Sequence, residues 1–248
     1  AGLVFQLKEA VGPDVIEARE ADFVHRAIHA WQQHPNINVL GSHEADRLSI
    51  VSFVIRHEGR YLHHNYVVAL LNDVFGIQSR GGCSCAGPYG HRLLGIDLDR
   101  SHEFQREINR GCEGIKPGWV RVNFNYFIDE PTFDYIVEAV SMVASEGAHL
   151  LPMYDFEPDS GLWHHRLGTR APAMSLHDVS YEQGAMTFEN RRHTHPIDLG
   201  RHLDDARALF ATARAEHPPA CSHPVTNDDF EHLRWFPYAD DVTPSSTR

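Results

Sequence analysis

Two thiols follow a guanidinium closely in the segment Arg80-Gly81-Gly82-Cys83-Ser84-Cys85-Ala86-Gly87-Pro88-Tyr89-Gly90. Glycine holds backbone shapes closed to other residues, so Gly81, Gly82, Gly87 and Gly90, with Pro88, mark a constrained loop. A thiol beside a cation ionises more readily, and the thiolate is the form that attacks electrophiles or binds metals. Cys83 and Cys85 are therefore candidate nucleophiles. The competing reading is a structural glycine loop with incidental cysteines, since free cysteine often serves as a small buried hydrophobe. Cys83-x-Cys85 is also half of a thiolate zinc set, but Cys112 and Cys221 stand singly and do not complete the roughly four ligands required. We assign no metal.

A second candidate lies in residues 119–127 (WVRVNFNYF), which alternate strictly. Val120, Val122, Phe124 and Tyr126 fall on one face of a strand, Arg121, Asn123 and Asn125 on the other. A planar guanidinium held on that polar face is a bidentate receptor for a carboxylate. An ordinary arginine on a half-exposed sheet is the alternative. The pairs His63-His64, His164-His165 and His193-x-His195 read as surface or cap residues, because 19 histidines are a bias of composition before they are a site. Asn190-Arg191-Arg192 reads as a solvated charge cluster. Lys8 and Lys116 are the only lysines; the other basic side chains are arginine.

The elements that must position these residues follow from periodicity. Residues 14–31 place Ile16, Phe23, Val24, Ala27, Ile28 and Trp31 on one helical face, with Gly12 and Pro13 before them and Pro35 after. Residues 37–40 read as a short strand, and 48–55 (LSIVSFVI) as a central strand covered on both faces. A helix is predicted over 66–75, capped by Asn65 and stopped by Gly76, then a short strand at 77–79. Another helix is predicted over 101–109. The strand at 119–127 is followed by a helix that starts near Pro131 and carries Phe133, Ile136, Val137, Val140 and Val143. Residues 1–150 thus predict an α+β domain, a small sheet with helices packed on it. Residues 151–248 predict an extension with a helix near 199–215 and an irregular tail from Pro218.

With 248 residues, 42% of them hydrophobic, the chain is long enough for a substantial core. Its net charge of -12 argues against nucleic acid and anionic membranes as partners. No run approaches the roughly 20 apolar residues of a membrane span, and no signal peptide is evident. Four irregularly spaced cysteines do not form a disulfide framework, so the expected location is cytoplasmic. The chain opens on Ala1 and enters helical sequence at once, from which we expect a longer natural protein.

Taken together, the loop and the strand resemble those of the class V aminotransferase and cysteine desulfurase superfamily, which are fold-type I pyridoxal-phosphate enzymes. Cysteine desulfurases carry a loop R-x-G-H-H-C-A-x-P, to which Arg80 through Pro88 aligns without gaps. The alignment puts Cys85 on the persulfide-forming cysteine. Their later strand V-R-x-S-F-x-x-Y is similar to Val120-Arg121-Val122-Asn123-Phe124, and its arginine grips the substrate α-carboxylate. The resemblance covers residues 1–150 and implies the small C-terminal domain of such an enzyme. It further implies pyridoxal 5'-phosphate in the full-length parent, an amino-acid substrate and a homodimer. Cys85 would be catalytic; Arg121, Arg80 and Asn123 would bind substrate; the loop 80–90 would close the site. Three departures are present. Cys83 and Ser84 replace the loop histidines, Asn123 replaces the serine, and neither Lys8 (QLKEA) nor Lys116 (GIKPG) resembles the Schiff-base lysine. Desulfurase, aminotransferase and lyase chemistry all stay open, the chain alone is expected to be inactive, and a non-catalytic assembly module is the alternative.

Overall fold

The computed structural model describes residues 2–83, 87–168, 175–182, 184–188, 198–216, 224 and 226–242. Helices α1 (Gly2–Val11) and α2 (Pro13–Gln32) precede β1 (Ile37–Val39), β2 (Ile50–His57) and the short β3 (Arg60–Tyr61). Helix α3 (His64–Phe75) leads to β4 (Arg80–Gly82), then to α4 (Gly87–Leu94), α5 (Leu98–Asn109) and β5 (Trp119–Asn123). Helix α6 (Glu130–Glu146), the hairpin β6 (Tyr154–Glu157) and β7 (Leu162–His165), and helices α7 (Leu199–Glu216), α8 (Asp228–Leu233) and α9 (Ala239–Val242) complete it.

The fold is α+β. Its main sheet has the order β1-β2-β5-β4, every neighbouring pair antiparallel, with β3 folded back on β2. Alternation along the strands sends Val51, Phe53 and Ile55 of β2 and Val120 and Val122 of β5 to one face, where all are buried. Helix α2 covers that face with Phe23, Ala27 and Trp31, and the Trp31 ring lies 5.1 Å from Phe53 and 5.8 Å from Phe124. Phe23 stacks on Phe133 of α6 at 4.8 Å. The opposite face of the sheet is only partly covered, which corrects the expectation that β2 is sheathed on both sides.

Local chemistry sets the element ends. The predicted cap of α3 moves back two residues: the His63 ring, not Asn65, accepts the first free N–H, from Asn65 itself. Gly76, with φ at 67°, closes that helix in the left-handed region as expected. Asp97 caps α5, which begins three residues upstream of the predicted start, and Asp129 caps α6 by accepting from the Thr132 N–H. The strand placed at 77–79 forms instead at β4. Two of its three residues are glycine, and Gly81 is there for space: a Cβ would stand 2.7 Å from Asn65 Oδ1 and 3.1 Å from both His64 and Val68. Helix α3 packs on β4 across that missing side chain.

The hydrophobic core does not stop at residue 150. The β6–β7 hairpin places Tyr154, Phe156 and Trp163 against α3, and α7 lies along α6 with Arg207 paired to Glu138 at 3.0 Å and Arg214 to Glu146 at 3.2 Å. Phe230, Leu233, Phe236 and Tyr238 are buried in the same cluster as the sheet. Trp235 donates its indole N–H to the Ile115 carbonyl at 3.0 Å. The irregular tail expected from Pro218 is therefore corrected over residues 226–242, where a compact run of aromatic side chains offers enough apolar area to order the backbone. Phe236→Ala is expected to destabilise the whole molecule by about 3–5 kcal/mol in urea denaturation, as for other fully buried aromatics. A change under 1 kcal/mol would show that this segment is not integral to the core.

Candidate functional site

On the partly covered face, the register makes a row. Arg80 of β4 stands opposite Arg121 of β5, and Arg121 opposite Ser52 of β2. Leu40 donates its N–H to the Ser52 carbonyl at 2.8 Å and extends the row to the β1 edge. Directly opposed side chains on one face have Cβ atoms about 5 Å apart, and like charges so placed repel. Neither Arg80 nor Arg121 has an acidic partner among the described residues. Two arginines opposed in register without a carboxylate among the described residues form an arrangement that an anion would stabilise, since each carries a planar fork. Asn123 lies on the same face, two residues beyond Arg121 and exposed. The structure thus brings Arg80, Arg121 and Asn123 together.

Helix α4 bounds the row. Gly90 lets it descend onto the sheet, since a Cβ there would meet the Trp119 ring at 2.8 Å. Leu93 and Leu94 then close over Trp119, Val54 and Leu40 in a small second cluster. Sequence reasoning read residues 87–90 as loop because glycine and proline break periodicity, so this helix was not foreseen. Cys83, half-buried and free, follows β4 and opens onto a groove of about 530 Å³ whose walls include His91, Leu98, Phe104 and Lys116. Cys85 lies outside the described residues, as do His193, His195 and the 190–192 cluster.

Behind β4, on the helix side, the first histidine pair proves to be buried. His63 is enclosed: its Nδ1 accepts from the Asn65 N–H at 3.1 Å, and its Nε2 donates to the Gly114 carbonyl at 3.1 Å. That pairing makes it the neutral tautomer with the proton on Nε2. His64 stacks on His63 at 4.3 Å and on Trp235 at 5.8 Å, and its Nδ1 has no hydrogen-bond partner. The surface reading of this pair is corrected, although His63 does cap α3. Nothing local in the sequence signals that Trp235 arrives over the pair, since it comes from more than 160 residues further along the chain. Of the second pair, His164 is exposed and faces Glu157 at 3.4 Å. Among the described residues no three His, Cys, Asp or Glu side chains gather as a metal site, and no helix is long and apolar enough to cross a membrane.

Pyridoxal phosphate needs a lysine for its aldimine, and the two lysines do not fit that task. Lys8 stands on α1, a helix without a single buried residue. Lys116 is paired with Glu113 at 3.6 Å and lines the Cys83 groove, not the arginine row. What the described residues offer is a pair of arginines opposed in register and a thiol, Cys83, just beyond them. No protein-family model matches this chain, and no curated protein matches it.

Burial drives the pKa of His64 down to about 3 and holds that of His63 well below the ordinary histidine value. Both rings stay neutral in the folded protein, while the unfolded chain takes up protons near pH 6.5. Stability is therefore complete above that pH and falls as acid is added, by about 1.4 kcal/mol per pH unit for each ring. Urea midpoints measured from pH 7 to pH 5 are expected to show this slope, and His64→Phe to remove one ring's share. A flat profile would mean that the pair is accessible to solvent.

Proposed function

We propose that this chain is the substrate-gripping C-terminal part of a pyridoxal-phosphate enzyme of the class V aminotransferase and cysteine desulfurase kind, acting on an amino acid. The observation that carries the reading is the Arg80–Arg121 row: two arginines without an acidic partner among the described residues, on the open face of a small antiparallel sheet and just before Cys83 and Cys85 in the sequence. Arg121, with Arg80 beside it, takes the α-carboxylate in a forked, charge-assisted contact. Asn123 adds an amide at the rim. In a desulfurase Cys85 is the sulfur-accepting thiol; in an aminotransferase or lyase it is a bystander.

The cofactor is not held by this chain's own residues, so the reading places it on a further body packed against these elements, in a homodimeric, cytoplasmic parent. Helix α1 supports this. Leu3 is 78% exposed and Phe5 69%, and Val4 and Leu7 are exposed beside them, an apolar surface of the sort that a second body covers. The poor fit of Lys8 and Lys116 favours the second reading, a non-catalytic module that serves in assembly.

The gripping role is tested by titrating the chain with L-alanine and following amide shifts by NMR. Arg121→Ala is expected to weaken binding about tenfold or more, the worth of a charge-assisted pair, and Arg121→Lys to recover only part of it. Equal affinity in the variants would sink the carboxylate role. To separate enzyme from module, the protein isolated from its source is reduced with borohydride and weighed: a pyridoxyl adduct on a mass above 28.1 kDa supports the enzyme, and an unmodified 28.1 kDa chain supports the module. Where the adduct is found, loss of sulfide release from L-cysteine in Cys85→Ala identifies a desulfurase, and unchanged turnover removes Cys85 from the chemistry.

A further inference from the structure

Arginines in this protein are paired with unusual consistency, and the exceptions share a location. Among the described residues, Arg47, Arg80, Arg92 and Arg121 have neither an acidic partner nor an aromatic ring beneath them. Every other described arginine pairs with a carboxylate or lies over a ring. In a chain of net charge -12, carboxylates are abundant, so four free guanidiniums around one face call for a local cause. Arg80 and Arg121 are the row described above. Of the other two, Arg47 stands at its far end. A Cβ built on Gly41, just past β1, would lie 3.6 Å from Arg47 Nη2 and 3.8 Å from Tyr89 Oη, so both groups overhang the same spot. Glu44 and Asp46 share the loop of Arg47, yet neither pairs with it, and the Tyr89 hydroxyl has no partner among the described residues. Gly90, Leu93 and Leu94 turn one face of α4 to the sheet. Arg92, one turn on from Tyr89, shares the adjacent face with it.

Resting on the reading of Arg121 as a carboxylate receptor, the geometry points to a second anion subsite formed by Arg47 and Tyr89, with Arg92 beside them, so that the ligand is an amino acid with an acidic group at its distal end. Leu40 lies two strands from Arg121 in the same row, roughly 10 Å away at the usual strand spacing. Arginine side chains are long enough to shorten that gap from either end. The distal group is a carboxylate or a phosphate monoester, either of which meets a guanidinium and a phenolic hydroxyl equally well. The Tyr89 hydroxyl gives the subsite a neutral donor that also hydrogen-bonds the anion, and the small Gly41 beneath leaves the space for it.

The test is an NMR titration of the chain with L-alanine, L-glutamate and O-phospho-L-serine under identical low-salt conditions. The net charge of the protein repels added negative charge, so any preference for the more acidic ligands is local. The wild type is expected to bind glutamate, phosphoserine or both about tenfold more tightly than alanine, as one charge-assisted contact allows, and the ligand that gains more identifies the distal group. Arg47→Ala is expected to abolish the preference and leave alanine binding as it was; Tyr89→Phe, which keeps the ring and its packing, reduces the preference in part. Equal binding of all three ligands, or a preference that survives Arg47→Ala, overturns the second subsite and leaves the carboxylate receptor standing. Alanine binding that is indifferent to Arg121→Ala overturns the receptor itself, and no binding of any ligand overturns both.

Discussion

Backbone meets backbone where β4 runs beside the entry to β5: a Cβ on Gly118 would stand 2.7 Å from Gly82 Cα and 2.8 Å from the His64 ring. No side chain larger than hydrogen fits there. Because Gly81, Gly82 and Gly118 supply none, α3 lies directly on the strand pair, and the His63–His64 stack fills the layer beneath. The same closeness settles the register of β4 on β5, and the register alone puts Arg80 across from Arg121. A one-residue slip would send Arg80 into the apolar layer under α3. The cationic row on one face is thus a consequence of tight packing on the other.

Electrostatics then divides the molecule. The helical side is laced with ion pairs, such as Arg26 with Glu130 and Arg207 with Glu138, these two about half exposed and each worth little alone. They consume positive charge on that side. On the open face the guanidiniums are left over, and in a protein this acidic the contrast produces a local positive field where the average is negative. Small anions are drawn to such a spot, whereas extended polyanions meet repulsion from the rest of the surface.

The parts of this arrangement that were legible in the sequence are those with a local period. Helices α2 and α6 announce themselves through apolar residues three and four apart, and β5 through the alternation that put Arg121 on the polar side. The rest is invisible for identifiable reasons. β4 carries two glycines in three positions, so it has no pattern to read. Helix α4 begins Gly-Pro-Tyr-Gly, a run of helix breakers that tertiary contact with Trp119 overrides. Arg80 was singled out as the neighbour of two thiols, but its place opposite Arg121 depends on a pairing between strands some forty residues apart, which no local window contains. The aromatic run 235–238 lacks both helical and strand periodicity, because its residues are ordered by what they pack on.

Arg60 pairs with Asp241 across 181 positions, and Trp235 closes over a histidine pair more than 160 residues earlier in the chain. A layer directly behind the arginine row therefore waits for a segment synthesised more than 160 residues later. As the chain leaves the ribosome, the early sheet and helices are present without their backing, with apolar rings and imidazoles facing water. Such long-range closure is slow compared with the formation of neighbouring helices. The interval before it is complete is when a nascent chain of this kind is most open to chaperones and to association with its own copies.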